Sequence, residues 1–191
     1  MVKQSLGQTP SQTVGPFFSF GLFNQGKEHI LTNDQTKGKH ISLTGQILDG
    51  DGEPVNDALI EIWQPDTRGY FNHPIDPNHP NADPNFSGFG RSETSNNGTY
   101  RFETIKPGAI AHSSNAPYVN VRIFARGMLI HVVTRIYFDD EPANDMDPVL
   151  LTINPARRKT LIAMRVETSD LLVYRLDVRL QGDNETVFFD A

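Results

Sequence analysis

Histidine is the side chain in this sequence best suited to acid–base or metal chemistry, because cysteine is absent. The six histidines lie at positions 29, 40, 73, 79, 112 and 131. No two of them are spaced as His-x-His or His-x3-His, so neither a strand nor a helix would align two as metal ligands. The loop residues His73, Asp76 and His79 have a spacing that could bind a metal ion. This is a minor alternative to a solvated polar loop.

The pair of serines after His112 does not indicate a hydrolytic site. Neighbours such as His112, Ser113 and Ser114 rarely face each other in a strand or loop. The sequence also lacks the Gly-x-Ser-x-Gly elbow and a glycine-rich phosphate loop.

Arg126 is the clearest candidate for binding an anion. It belongs to the segment FARG (124–127), at the end of a predicted strand and just before a glycine. The planar guanidinium is suited to clamping a carboxylate or sulfonate, whereas the alternative is an arginine paired with a strand carboxylate. The segment TPSQTVGPFF (9–18) offers backbone groups and aromatic rings to a flat ligand, or forms an arm that packs on a neighbouring chain.

The elements that must position these side chains are short β-strands. Alternating segments separated by Gly, Pro and Asp turns predict an all-β, two-sheet β-sandwich with long loops and an N-terminal arm. The predicted strands are HISLTGQIL (40–48), ALIEIWQ (58–64), TYRFET (99–104), YVNVRIFAR (118–126), MLIHVVTRIYF (128–138), TLIAMRV (160–166), LLVYRLDVRL (171–180) and ETVFF (185–189). A short helical turn is expected at 155–161.

Composition limits the compartment and the partners. The chain has 191 residues, which predicts an arm at 1–39 and one sandwich domain at 40–191. A net charge of −6 without a basic cluster argues against nucleic acid or an anionic membrane as partner. The absence of cysteine, of a long apolar run and of an apolar N-terminal leader predicts a cytoplasmic protein.

Several long motifs resemble the intradiol ring-cleavage dioxygenase family. LTGQILDGDGEPVNDALIEIWQPDTRGYF (43–71) is similar to the family signature. DPNFSGFGRSET (83–94), GTYRFETIKPG (98–108) and TRIYFDDE (134–141) match the family framework in order and spacing. TPSQTVGP near the start and GDNETVFFDA at the end resemble the alpha subunit of the two-chain members. The resemblance covers almost the whole chain and implies the family's β-sandwich.

The resemblance also implies that this chain does not hold the family's iron(III). The family binds that ion with two tyrosines and two histidines. Phe71 stands at the first tyrosine position, Ile110 at the second, and Tyr118 and Asn120 at the His-x-His pair. Phenylalanine and isoleucine have no donor atom, and a neutral amide replaces imidazole poorly.

By resemblance, then, the chain is the iron-free alpha subunit of a hetero-oligomer whose beta subunit carries Fe(III). The assembly would convert 3,4-dihydroxybenzoate and O2 to 3-carboxy-cis,cis-muconate. Thr13, Gly15, Pro16 and Arg126 would line the substrate pocket, with Arg126 near the acidic substituent, while Phe17 replaces a tyrosine frequent in relatives. Two alternatives remain, namely an inert scaffold or binding module and a subunit acting on another acidic catechol, such as a sulfonated one.

Overall fold

The structure, a computed structural model, describes residues 7–15, 17–23, 26–166 and 171–190. Within these ranges the regular structure is mostly β. The strands are β1 (His40–Leu48), β2 (Leu59–Trp63), β3 (Phe89–Glu93), β4 (Thr99–Ile105), β5 (Val119–Phe124), β6 (Val132–Phe138), β7 (Ile162–Val166), β8 (Leu172–Arg175) and β9 (Val178–Arg179).

Helical structure is confined to short turns. The helices are α1 (Pro148–Thr152) and α2 (Pro155–Arg158), with 3-10 turns at His79–Asn81, Pro142–Met146 and Lys159–Leu161. Each α-helix starts at a side-chain cap followed by proline: Asp147 accepts from two backbone N–H groups of α1, and Asn154 accepts from one of α2. None of the helices in the described ranges is long and apolar enough to cross a membrane.

The strands form one continuous hydrogen-bonded path. The order is β3-β2-β5-β6-β7-β8-β1-β4, with β9 beside β1. The pairs β3–β2–β5–β6 are antiparallel, as are β7–β8 and β1–β4. A short parallel pairing of β6 with β7 links the two groups of strands.

The main apolar core contains side chains from both ends of this path. Ile60 and Val121 come from β2 and β5, whereas Leu43 and Phe102 come from β1 and β4. Because both groups bury residues in one core, the path must fold back over itself. The all-β class is therefore confirmed. The continuous pairing does not divide the strands into two sheets, so the two-sheet arrangement stays a prediction.

The alternation of apolar and polar residues located most of the strands, but not all of them and not all of their ends. The prediction for β1 is confirmed over 40–48, and the helical turn at 155–161 is present as α2 and the following 3-10 turn. The segment 128–131 is not strand, because the chain turns there before β6 begins. The segment 185–189 was wrongly predicted as a strand, because it forms only an isolated bridge between Val133 and Phe189. β3 was missed, since Gly90 and Ser92 in Phe89–Glu93 weaken the alternation.

A polar cluster at the end of β6 makes a testable contribution to stability. Lys106 Nζ lies 2.7 Å from Asp140 Oδ1, and the Tyr174 hydroxyl donates to Asp140 Oδ2 at 2.7 Å. Burial alone would raise the pKa of Asp140, but the hydrogen bonds from Lys106 and Tyr174 outweigh it and hold that pKa below its usual value. A carboxyl group with a lowered folded-state pKa stabilises the fold above its unfolded pKa, and that stabilisation is lost as the pH falls through the lowered value.

Asp140→Asn is expected to lower the free energy of unfolding by about 1–2 kcal/mol at about pH 7, because two hydrogen bonds to a charged acceptor are weakened. The difference from the unsubstituted chain should shrink as the pH falls below about 4, the ordinary pKa of an unfolded aspartate, and on through the lowered folded-state pKa of Asp140. Urea unfolding of the full chain at both pH values measures this. Asp51→Asn, at an exposed turn residue, is the matched control. An equal loss at both pH values would show that charge is not the cause.

Candidate functional site

The N-terminal arm lies against the end of β5. Thr13 Oγ1 accepts a hydrogen bond from Gly127 N at 2.8 Å, directly after Arg126. The backbone turns at Gly15, whose carbonyl accepts from Phe18 N at 3.1 Å. The structure therefore brings Arg126 to Thr13 and Gly15, although Arg126 is more than a hundred residues away from them in sequence. Pro16 lies outside the described residues.

The arm and the β2 and β5 ends enclose a small cavity. Its volume is about 200 Å³, and its lining includes Gly15, Phe18, Asp57 and Arg126. The Phe18 ring packs on Phe124 at 5.6 Å between centroids, which fixes the arm to the strand. This surface combines a cation, exposed backbone groups and aromatic rings.

Asp57 is a member of this site that sequence reasoning missed. Arg126 Nε donates to Asp57 Oδ2 in an ion pair. The antiparallel register pairs Leu59 with Phe124. If it is continued by two residues past the ends of the strands, Asp57 lies opposite Arg126. Asp57 could have been predicted from this register, but only if β2 and β5 were already known to be neighbouring strands.

The ion pair leaves part of the guanidinium free. The Arg126 side chain is 56% exposed, and among the described residues its terminal nitrogens have no hydrogen-bond partner. The alternative reading of Arg126, an arginine paired with a carboxylate, is therefore also realised, through Asp57. It occupies the Nε edge, and the two terminal nitrogens can still donate to an anion.

The four positions that the resemblance identifies with iron-ligand positions lie in different surroundings. Phe71 is stacked on Trp63, with ring centroids 5.5 Å apart and planes 9° from parallel. Ile110 and Tyr118 pack in a second apolar cluster with Leu150 and Leu161. Asn120 lies on the outer face of β5, beside Trp63 of β2. These contacts fill the four positions with packing interactions rather than with a set of converging donors.

The loops that carry Phe71 and Ile110 are held together by close backbone contacts. Gly69 has φ of +86°, and a Cβ there would lie 1.9 Å from the Ala109 carbonyl oxygen. Ala111 N donates to the Gly69 carbonyl at 3.0 Å, and Gly108 N donates to the Asp66 carbonyl at 3.0 Å. These contacts hold the two loops in a fixed arrangement, and the side chains of Phe71 and Ile110 that the loops carry are apolar.

A buried carboxylate and an arginine organise the region around Tyr118. Asp147 is fully buried and accepts from Ala116 N at 2.8 Å, which ties the 110–117 loop to the start of α1. Arg135 lies over the Tyr118 ring at 4.1 Å and donates to the Tyr137 hydroxyl at 3.2 Å. Burial raises the pKa of Tyr137 to about 12, despite the opposing effect of Arg135. Tyr137 is therefore a neutral structural phenol.

The residues of this region do not fit an iron(III) ion. Phe71 and Ile110 supply no donor atom, and no cluster of three or more His, Cys, Asp or Glu within the described ranges could hold a metal ion. The minor alternative of a metal loop at His73, Asp76 and His79 is not supported by the structure. His73 Nδ1 accepts from Ile75 N at 3.2 Å, and His79 Nδ1 contacts the Asp76 carbonyl at 3.2 Å.

Three comparisons, with a family model, with curated proteins and with solved structures, all find similarity to dioxygenases. A sequence model of the family described as Dioxygenase matches residues 13–182. The chain is 45% identical to the protocatechuate 3,4-dioxygenase alpha chain of Burkholderia cepacia, over 98% of this chain and 99% of that one. It is 33% identical to the beta chain from the same organism, over 83% and 74% of the two chains. The dioxygenase domain of a carbohydrate-binding fusion protein from Streptomyces sp. SirexAA-E has a similar fold, with a TM-score of 0.64 at 23% identity over 92% and 99% of the chains.

Proposed function

Because this chain belongs to the dioxygenase family, we propose that it is the non-catalytic alpha subunit of a protocatechuate 3,4-dioxygenase. The assembly would convert 3,4-dihydroxybenzoate and O2 to 3-carboxy-cis,cis-muconate, with Fe(III) in the beta subunit. One observation carries the proposal: a chain similar to an alpha chain over nearly its whole length has Phe71, Ile110, Tyr118 and Asn120 where the ligands would be.

The contribution of this chain to the substrate pocket would be binding and orientation. Arg126 would hold the carboxylate of the substrate through its terminal nitrogens, while Asp57 fixes the Nε edge. Thr13, Gly15 and Pro16 would line the same pocket. The hydrogen bond from Gly127 N to Thr13 Oγ1 supports this role for Thr13, because it holds Thr13 next to Arg126. A sulfonated catechol could use the same guanidinium, so the identity of the acidic group is part of the proposal.

Exposed apolar side chains around the arm support an interface with the beta subunit. Phe17, Phe20, Leu129 and Ile130 are all largely exposed. Phe18 borders both the cavity at Arg126 and an adjoining cavity of about 250 Å³ lined by Leu129 and Ile130. Adjacent exposed apolar residues of this kind are typical of protein interfaces. A cytoplasmic location is a further part of the proposal and is supported by the cysteine-free composition.

Assembly and metal content test this proposal directly. The full chain, carrying an affinity tag, is co-expressed with its cognate beta chain and purified through the tag. We expect the two chains to elute together in equal amounts, with iron following the amount of beta chain. The chain expressed by itself should contain no stoichiometric iron. Elution without the beta chain would favour an inert scaffold, and iron bound by the chain alone would contradict the assignment of the metal to the partner.

A further inference from the structure

A groove on the outer face of β2 and β5 is larger than the cavity at Arg126. Its volume is about 750 Å³, within the range of about 300–1,000 Å³ typical of small-molecule sites. Strand alternation points Glu61, Trp63, Asn120 and Arg122 towards this face. The register pairs Trp63 with Asn120 and Glu61 with Arg122, so the four side chains form two adjacent cross-strand pairs in the groove.

One wall of the groove is aromatic. The Trp63 indole is supported from behind by Phe71 in a nearly parallel stack. The ring centroid of Phe89 lies 6.2 Å from that of Trp63. The His73 ring packs against Trp63 in an edge-to-face arrangement, with the two centroids 5.8 Å apart. Ile75, which is 84% exposed, forms part of the rim. This wall presents flat apolar surface to a planar ring.

The groove also contains an arginine, Arg122, that has no partner among the described residues. Glu61 is the one carboxylate among the described residues that line the groove, and its Oε1 already accepts from Arg91 Nε at 2.7 Å. In the part of the chain that the structure describes, Arg122 makes neither a hydrogen bond nor an ion pair. Two arginines therefore face one glutamate across β3, β2 and β5, which leaves a net positive charge beside the aromatic wall.

Neutral donors complete the polar side of the groove. His73 Nδ1 accepts a hydrogen bond from Ile75 N, which places the proton of the neutral ring on Nε2. Asn120 contributes an amide with two N–H groups, and it lines the groove next to Trp63. An anion bound by Arg122 would therefore find further N–H donors in the same groove.

We propose that this groove is a binding site for a planar aromatic carboxylate. The ring would lie against Trp63 and Phe89, and the carboxylate would accept from the free guanidinium of Arg122. The proposal requires neither iron nor a beta subunit. Its failure is therefore distinguishable from failure of the alpha-subunit assignment, which is decided by co-purification.

Trp63 provides the measurement, since it is the single tryptophan of the chain. Benzoate and its neutral analogue benzamide are titrated into the full chain while the tryptophan fluorescence is recorded. Benzoate is expected to produce a saturable change with a Kd on the order of millimolar or tighter. Benzamide should bind about tenfold more weakly, because it cannot form the charge-assisted pair with Arg122.

Three variants identify the group responsible. Arg122→Gln should weaken benzoate binding by about tenfold and remove the preference for benzoate over benzamide. Arg101→Gln removes another exposed strand arginine, paired with Glu103 on β4, and should leave both affinities unchanged. Ile75→Glu places a negative charge at the exposed rim and should weaken benzoate binding without affecting folding.

The proposal is overturned if the fluorescence does not saturate with benzoate up to tens of millimolar, or if benzoate and benzamide bind equally. Equal affinity of the Arg122→Gln variant and the unsubstituted chain would also overturn it. Circular dichroism of each variant establishes that it is folded before its affinity is compared.

Discussion

The purified chain alone is expected to convert 3,4-dihydroxybenzoate at less than about one-thousandth of the rate of its assembly with the beta subunit. Enzymes of this kind accelerate their reactions by at least about a million-fold, so the loss of the metal-bearing subunit removes essentially all turnover. Phe71 and Ile110 lack donor atoms, and the remaining two positions cannot make up a ligand set for iron(III). Oxygen uptake by the isolated chain, the isolated beta chain and the mixture measures the effect.

The control for this experiment separates activity from folding. The isolated chain must show the β-rich circular dichroism expected of the structure, and adding excess iron(III) should not create turnover. Iron-dependent oxygen uptake by a preparation free of beta chain would refute the alpha-subunit assignment. Turnover by the beta chain alone, at the rate of the mixture, would instead show that this chain is not needed for the reaction.

Arg126→Ala in the assembled enzyme is expected to lower kcat/KM for 3,4-dihydroxybenzoate by about 10- to 100-fold. This range corresponds to the loss of a charge-assisted pair of about 1.5–3 kcal/mol between the guanidinium and a carboxylate. Catechol lacks the carboxylate, so its kcat/KM should fall by no more than about threefold. Steady-state oxygen uptake with both substrates gives the ratio.

Asp57 supplies the comparison that distinguishes substrate binding from a structural ion pair. Asp57→Asn removes the charge partner of Arg126 and leaves the guanidinium in place. If Arg126 binds the carboxylate, Asp57→Asn should retain the preference for the acidic substrate, and Arg126→Lys should lose part of it because the planar fork is gone. Equal losses for catechol and 3,4-dihydroxybenzoate in Arg126→Ala would assign Arg126 a structural role only.

The strands could be predicted where apolar and polar side chains alternate and the apolar side chains enter the core. β1 shows this, since Ile41, Leu43 and Ile47 enter the core along one face. The same reasoning failed at 185–189, where Val187 and Phe189 pack on a neighbouring cluster without forming a strand. Alternating apolar residues indicate that one face of a segment is buried. A strand also needs a neighbouring strand to pair with, and a local stretch of sequence does not reveal that neighbour.

The site could be predicted only in part, for the same reason. Arg126 was identified from its chemistry and its place before Gly127, and Thr13 and Gly15 from the resemblance. Asp57 was missed because its contact with Arg126 follows from the β2–β5 register. The groove at Arg122 was missed because a lone strand arginine is ordinarily solvated or paired. In the structure Glu61 is paired with Arg91 rather than with Arg122.

The sequence by itself determined the all-β class and the family resemblance, because these depend on residue type and short-range spacing. The resemblance in turn implied that Phe71, Ile110, Tyr118 and Asn120 stand at ligand positions without forming a ligand set. Only the tertiary structure decided which side chains meet. It placed Thr13 against Gly127, Asp57 on Arg126, and the aromatic wall of Trp63 beside Arg122, which has no partner within the described ranges. These contacts arise from strand order and register, which are set by burial of a shared core between segments distant in sequence.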